Sequence, residues 1–192
     1  MKRISLITLM IVLAMSHVAF AGMEAGNKEI QIQGAISKYT NSEDDDTSST
    51  TSIQLTFNYF FTSNISIGGT WWGNSTVYEY ESGNENESTN NFLLLRGDFY
   101  LGSATSKAVP YIGVHGGQNS YTSKSTSAYG TYEDSGSTSA VGWHGGLKIF
   151  ATENTSWNFE INSTTYTPEV EPGQPEIDET TTQFLLGFSY YF

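Results

Sequence analysis

The segment Gln183-Phe184-Leu185-Leu186-Gly187-Phe188-Ser189-Tyr190-Tyr191-Phe192 sets Phe184, Leu186, Phe188, Tyr190 and Phe192 on one side of an extended chain and Gln183, Leu185, Gly187, Ser189 and Tyr191 on the other. Successive side chains of a strand point to opposite faces, so this period-two alternation reads as a β-strand with one apolar, aromatic face. A soluble antiparallel strand also alternates, but it rarely carries so aromatic a face to its last residue. Hydrocarbon around that face is the simplest account.

The same pattern recurs upstream. Ile30, Ile32, Gly34 and Ile36 oppose Gln31, Gln33, Ala35 and Ser37, and Ile53, Leu55, Phe57, Tyr59 and Phe61 oppose Gln54, Thr56 and Asn58. A third strand runs from Ile65 past Ile67, Gly69 and Trp71; a fourth sets Leu93, Leu95, Gly97, Phe99 and Leu101 against Arg96, Asp98 and Tyr100. A fifth turns Ile112 and Val114 outward. A sixth sets Val141, Trp143, Gly145, Leu147 and Ile149 against His144, Gly146 and Lys148, and a seventh sets Trp157, Phe159 and Ile161 against Asn158, Glu160 and Asn162. With the terminal strand the count is eight.

Short and long connections alternate, as in barrels with short periplasmic turns and long external loops. The short ones fall near Thr62–Asn64, Gly102–Lys107 and Ala151–Asn154; the long ones near Asn41–Thr50, Glu81–Asn90, Gly117–Ser137 and Pro168–Thr180. The long segments are rich in Ser, Thr, Asn, Gly, Asp or Glu and are expected to be mobile and solvated, for want of apolar area to bury. A weak repeat links Phe60-Phe61-Thr62-Ser63-Asn64 to Phe150-Ala151-Thr152-Glu153-Asn154, both at short turns.

In hydrocarbon every backbone amide and carbonyl needs a partner, so strands can span only as a closed sheet. The expected fold is therefore all-β, a closed eight-stranded antiparallel up-and-down transmembrane β-barrel. An eight-stranded interior is just wide enough to be filled by side chains. Arg96 and Asp98 lie two apart on one inward face, and Lys148 and Glu160 are expected to pair across the hairpin of strands six and seven. These four charges read as structural pairs in a packed polar interior; the competing reading is an ion path. Tyr59, Phe61, Trp71, Phe99, Trp143, Trp157, Tyr190 and Phe192 gather near strand ends, as headgroup girdles require.

The 192 residues suit one domain. Lys2 and Arg3, the apolar run Ile4–Met15 and Ala19-Phe20-Ala21 have the form of a cleaved signal peptide over residues 1–21, leaving a barrel domain over 22–192. Cleavage removes two cations and no acid, so the formal charge falls from −12 to −14. That sign disfavours nucleic acid as a partner. No cysteine is present, so neither disulfides nor thiolate metal sites hold the fold.

The exported leader, the eight alternating strands, Pro110-Tyr111-Ile112-Gly113-Val114, Gly142-Trp143-His144-Gly145-Gly146-Leu147 and the final Tyr190-Tyr191-Phe192 together resemble the small outer-membrane β-barrel superfamily of OmpA/OmpX-, Ail- and OmpW-type proteins. The resemblance covers essentially the whole chain after residue 21. It implies residence in the cell outer membrane among lipid and lipopolysaccharide, and reading of the C-terminal strand by the barrel assembly machinery. Phe192, with Tyr190 and Phe188, would then be the assembly signal.

Chemistry finds little support. His115 and His144 follow the leader, but no G-x-S-x-G elbow appears, and neither the lipid A deacylase nor the palmitoyltransferase barrels are matched by a motif. The acidic runs Glu43–Asp46 and Glu169, Glu171, Glu176, Asp178 and Glu179 lack the EF-hand pattern and read as solvated loop tips, with divalent bridging to lipopolysaccharide phosphates as the alternative. No enzyme activity, cofactor or metal is expected. The preferred role is structural or adhesin-like surface interaction, with acidic loops presented to an extracellular partner; the alternative is a narrow pore or a conduit for small or apolar solutes.

Overall fold

Period two gives each strand two faces, and closure of the sheet turns these into two environments. The computed structural model describes residues 23–40, 47–80, 84–102, 106–127, 130–167 and 178–192. Its strands are β1 (Lys28–Thr40), β2 (Thr47–Thr62), β3 (Ile65–Glu79), β4 (Glu85–Tyr100), β5 (Ala108–Ser127), β6 (Gly130–Thr152), β7 (Thr155–Tyr166) and β8 (Glu179–Tyr191). Each pairs antiparallel with the next, and β1 pairs with β8 to close the barrel. Lys28 and Phe192 exchange backbone hydrogen bonds of 2.9 and 3.0 Å at the foot of that seam. The leader assigned to residues 1–21 lies outside the described residues.

The outer surface is apolar over one belt. On β2 it runs through Ile53, Leu55, Phe57, Tyr59 and Phe61, all exposed, while Gln54, Thr56 and Asn58 between them are buried. At about 3.3 Å per residue that stretch is roughly 26 Å long. With strands tilted about 40° it stands roughly 20 Å tall, close to the apolar band of outer-membrane barrels. Tyr59, Phe61, Phe99, Trp157, Tyr190 and Phe192 gather at the short-turn rim, and Trp71 and Trp143 lie toward the other; all eight are exposed.

Two short turns are tight. Ser63-Asn64 and Glu153-Asn154 each follow an irregularity in the ladder, at Phe60/Thr62 and Phe150/Thr152. The repeat seen in the sequence has a shared task here. In each turn the Asn backbone N–H donates to the Oγ1 of the Thr two residues back, Thr62 or Thr152, at 3.2 Å. The Asn side chain then donates to the neighbouring strand, Asn64 to Tyr100 O at 2.8 Å and Asn154 to Tyr191 O at 2.9 Å. Each turn is thus tied to the next hairpin.

The long connections differ from expectation. Gly117–Ser137, read as a mobile loop, is mostly strand, paired rung by rung from Gly117↔Ala140 to Ser127↔Gly130. Likewise β4 begins at Glu85, inside the stretch read as a loop from residue 81, and pairs with both neighbours. Hydroxyl-rich composition signals a missing apolar face, but a ladder in water needs only partners for its backbone, and the adjacent strands supply them. The acidic run Glu43–Asp46 and residues Glu169, Glu171 and Glu176 lie outside the described residues.

Candidate functional site

Three layers fill the barrel, and their order can be followed along single strands. On β4, Tyr100 is lowest, Asp98 and Arg96 follow, then Leu94 and Phe92 toward the long-loop end. The lowest layer joins Met23, Phe60, Tyr100, Val109, Tyr111, Phe150 and Tyr191. Phe60 packs on Tyr100 at 5.3 Å between ring centroids, and Phe150 on Tyr191 at 5.3 Å. At the other end Trp72, Phe92, Leu94, Ala140 and Tyr166 form a second apolar cluster, with Trp72 stacked on Phe92 at 4.3 Å. Adjacent Trp71 and Trp72 therefore serve opposite sides of one wall, the first 42% exposed and the second fully buried.

Between these clusters lies a continuous polar network. Arg96 donates from Nε and Nη2 to Asp98 Oδ1 at 3.1 and 3.0 Å, and from Nη2 to Glu160 Oε2 at 3.1 Å. Tyr111 donates to Glu160 Oε2 at 2.7 Å, and Gln54 donates to Glu160 Oε1 at 3.1 Å. Asn58 bridges two carboxylates, donating to Glu29 Oε2 at 3.0 Å and to Asp98 Oδ2 at 3.2 Å. Lys148 is ion-paired with Glu29 and lies over the Tyr111 ring at 5.2 Å.

All four lumen charges named from the sequence point inward and are buried, and Arg96 pairs with Asp98 as expected, but the pair expected between Lys148 and Glu160 is replaced by others. Lys148 does not meet Glu160. The register sets Lys148 opposite Asn158 and Glu160 opposite Gly146, one rung pair away, and Glu160 is held across the lumen by Arg96. The partner of Lys148 is Glu29, a charge that the sequence reading missed. Its signal was present: Glu29 is in phase with the inward Gln31 and Gln33.

The two histidines form the network's upper edge. Their rings stack 5.4 Å apart with Nδ1 to Nδ1 at 3.1 Å; His144 Nε2 meets Asp98 Oδ1, and His115 Nε2 meets Thr164 Oγ1 at 2.8 Å. A carboxylate–imidazole pair resembles half of a hydrolytic triad, but its outer neighbour is a second imidazole, not a nucleophile. Both histidines are buried, at most 7% exposed. Among the described residues no group of three or more His, Cys, Asp or Glu side chains could hold a metal ion.

Above the apolar belt the wall continues. β6 keeps β5 as a neighbour out to Gly130, whereas its pairing with β7 ends at Ala140↔Tyr166. Among the described residues, Gly130–Ser139 thus have β5 as their strand neighbour and none on the other side, with Tyr132 71% exposed.

The chain shares this architecture with known proteins. The family model for the outer membrane protein beta-barrel domain matches residues 5–192. Neisserial surface protein A is 12% identical, with a TM-score of 0.56 over 87% of this chain and 99% of that one. Ail, the attachment invasion locus protein of Yersinia pestis, is 15% identical, with a TM-score of 0.53 over 88% of this chain and 99% of that one. No curated protein matches the sequence. The closed eight-stranded ring, its lipid-facing belt and the match across nearly the whole chain establish that the protein belongs to the outer membrane protein beta-barrel domain family and resides in the bacterial outer membrane.

Proposed function

We propose that this barrel is a non-enzymatic surface-interaction protein whose working part is the sheet raised above the membrane. The observation that carries this reading is the β5–β6 hairpin, which stays paired for about ten residues per strand beyond the belt and, among the described residues, has no strand against the far side of β6 there. A span needs only about 9–11 residues per strand, and β6 has 23. Strand addition to such an edge gives affinity through main-chain hydrogen bonds.

The chemistry of a fitting partner follows from charge. Ail of Yersinia pestis has been crystallised with the heparin analogue sucrose octasulfate. Here the exposed outer part carries Glu79, Glu85, Glu133, Asp134, Asp178 and Glu179 beside Lys124, and the whole chain is at −12. Such a surface suits a cationic segment better than a sulfated polymer. Replacing Ser135 and Ser137 by proline, which removes edge donors, is expected to abolish capture of a basic extended peptide by the purified barrel while leaving its heat-dependent gel mobility unchanged. Equal capture by the variant would refute the edge as the binding element.

The pore reading is opposed by the packing. Apolar clusters lie at both ends of a network in which Arg96, Asp98, Lys148 and Glu160 are already paired. In planar bilayers the protein is expected to give baseline current, and large, stable channels would overturn the structural role of those four charges. Assembly rests on the C-terminal strand: Phe192 stacks on Tyr190 at 6.1 Å and closes the seam through Lys28. Deleting Phe192 is expected to reduce the folded fraction in outer membranes, read as the heat-modifiable band, more than replacing it by tyrosine does.

A further inference from the structure

We infer that the wall between β1 and β8 holds a lipid site: a groove that takes one acyl chain of outer-leaflet lipopolysaccharide, with a hydroxyl or amide on that chain meeting the open end of the seam. The inference stands apart from the raised edge and its partner.

The first observation is an interrupted ladder. β1 and β8 pair from Glu29↔Tyr191 to Gly34↔Leu186, and there the pairing ends. Both strands go on: β1 stays paired with β2 as far as Thr40↔Thr47, and β8 with β7 back to Glu179. Among the described residues, Ala35–Thr40 and Glu179–Leu185 therefore each have an edge with no strand against it. The next rungs, Ala35 with Leu185 and Ile36 with Phe184, lie within the apolar belt, where Ile36 is 81% and Phe184 74% exposed. At that depth unpaired amides and carbonyls have no water to turn to.

The second observation is a cavity of about 770 Å³ at this same place. Its lipid-facing lining includes Gly34, Ile36, Gly145, Ile161, Phe184 and Leu186, and the lumen-facing Ala35 and Leu185 of the first missing rung line it too. Gly34 and Gly145 leave the floor open because they carry no side chain. On β1, β7 and β8 these residues lie above the short-turn rim, beyond Ile32, Trp157 and Phe188, which places the groove in the outer half of the belt.

The third element is the chemistry of the open seam. Among the described residues the backbone groups of Ile36 and Phe184, just past the last rung, have no strand across from them, and polar groups at that depth call for a partner. A hydroxyl, which both donates and accepts, answers the amides and carbonyls of such an edge together. The surrounding medium supplies hydrocarbon chains, and those of lipid A carry hydroxyl and amide groups near their head ends. An unsubstituted chain would fill the groove and leave every polar group unanswered.

The test uses the full barrel in detergent with hexa-acyl lipid A as the probe and native mass spectrometry as the readout. Wild type is expected to retain one lipid A per barrel and to lose phosphatidylethanolamine, whose chains lack hydroxyls. Gly145→Trp fills the floor outward; a Cβ there meets Tyr111 O at an ordinary 3.4 Å. A second variant, Ala35→Cys with Leu185→Cys, closes the seam on oxidation in a chain that has no cysteine of its own. Both are expected to weaken lipid A retention about tenfold, and reduction of the cysteine pair to restore it. The reduced form controls for folding. Retention unchanged by Gly145→Trp and by oxidation, or equal retention of phosphatidylethanolamine, would overturn the proposal. So would cysteine crosslinking that is as fast with lipid A bound as without it.

Discussion

Methionine in place of Arg96 is expected to lower the unfolding free energy of the barrel by about 3–5 kcal/mol, the usual cost of removing one partner from a buried ion pair. The guanidinium reaches two carboxylates at once, Asp98 at 3.0 Å and Glu160 at 3.1 Å, and the side chains of both are fully excluded from solvent. Their remaining donors are neutral or belong to other pairs: Tyr111 and Gln54 on Glu160, and Asn58, Ser66, Tyr100 and His144 on Asp98. Two carboxylates left without their shared cation cannot be solvated in a filled lumen. Urea titration in phospholipid vesicles measures the loss. Lysine at 96 is expected to recover only part of it, because an ammonium lacks the planar fork that serves two acceptors. Adding Glu160→Gln to the methionine variant is expected to restore some stability, since it removes one of the two stranded charges. A methionine variant within about 0.5 kcal/mol of wild type, the scale of ordinary surface changes, would show that these charges do not hold the barrel together.

Leucine at Gly68 is expected to abolish the folded, heat-modifiable band, whereas leucine at its neighbour Gly69 is expected to leave it intact. A Cβ on Gly68 would lie 2.0 Å from Asn58 Oδ1 and 2.2 Å from the backbone oxygen of Phe57. The second contact is with the wall itself, which cannot rotate away, so a branched side chain there costs at least about 3 kcal/mol in overpacking. Gly69 faces lipid, and a Cβ there would lie 3.9 Å from Leu94 O. The pair Gly116-Gly117 behaves the same way: a Cβ on the lumen-facing Gly117 would meet Leu93 O at 2.1 Å, and one on Gly116 meets nothing closer than 3.6 Å. Folding yields of the four leucine variants in detergent measure the contrast. Equal loss at Gly68 and Gly69 would mean that strand flexibility, not lumen space, explains the glycines.

These two expectations draw on different kinds of information. That Gly68 and Arg96 face inward follows from phase alone, because Thr70 and Asp98 share their parity and Ile67, Trp71, Leu95 and Phe99 do not. The inward aromatics show where the sequence reading fell short. Phe60, Tyr100, Tyr111, Phe150 and Tyr191 are in phase with polar neighbours, yet an interior pictured as Gln, Asn, Ser and Thr had no place for a lower apolar layer. Aromatic residues at a strand end suit either a headgroup girdle or a lumen cap, and only the face decides between them.

The amino-acid order by itself determined the number of strands, the residues that meet lipid, the two tight turns and the inward direction of the charges, because a strand's period of two is a local property written into consecutive residues. The tertiary structure alone decided that Lys148 meets Glu29, 119 residues away, that the β5–β6 hairpin stays paired far above the belt, and that the β1–β8 ladder stops at Gly34↔Leu186. Which inward groups meet across a ring, and where two edges cease to match, depends on the register at closure, and register is a relation between distant segments that no single stretch of chain contains.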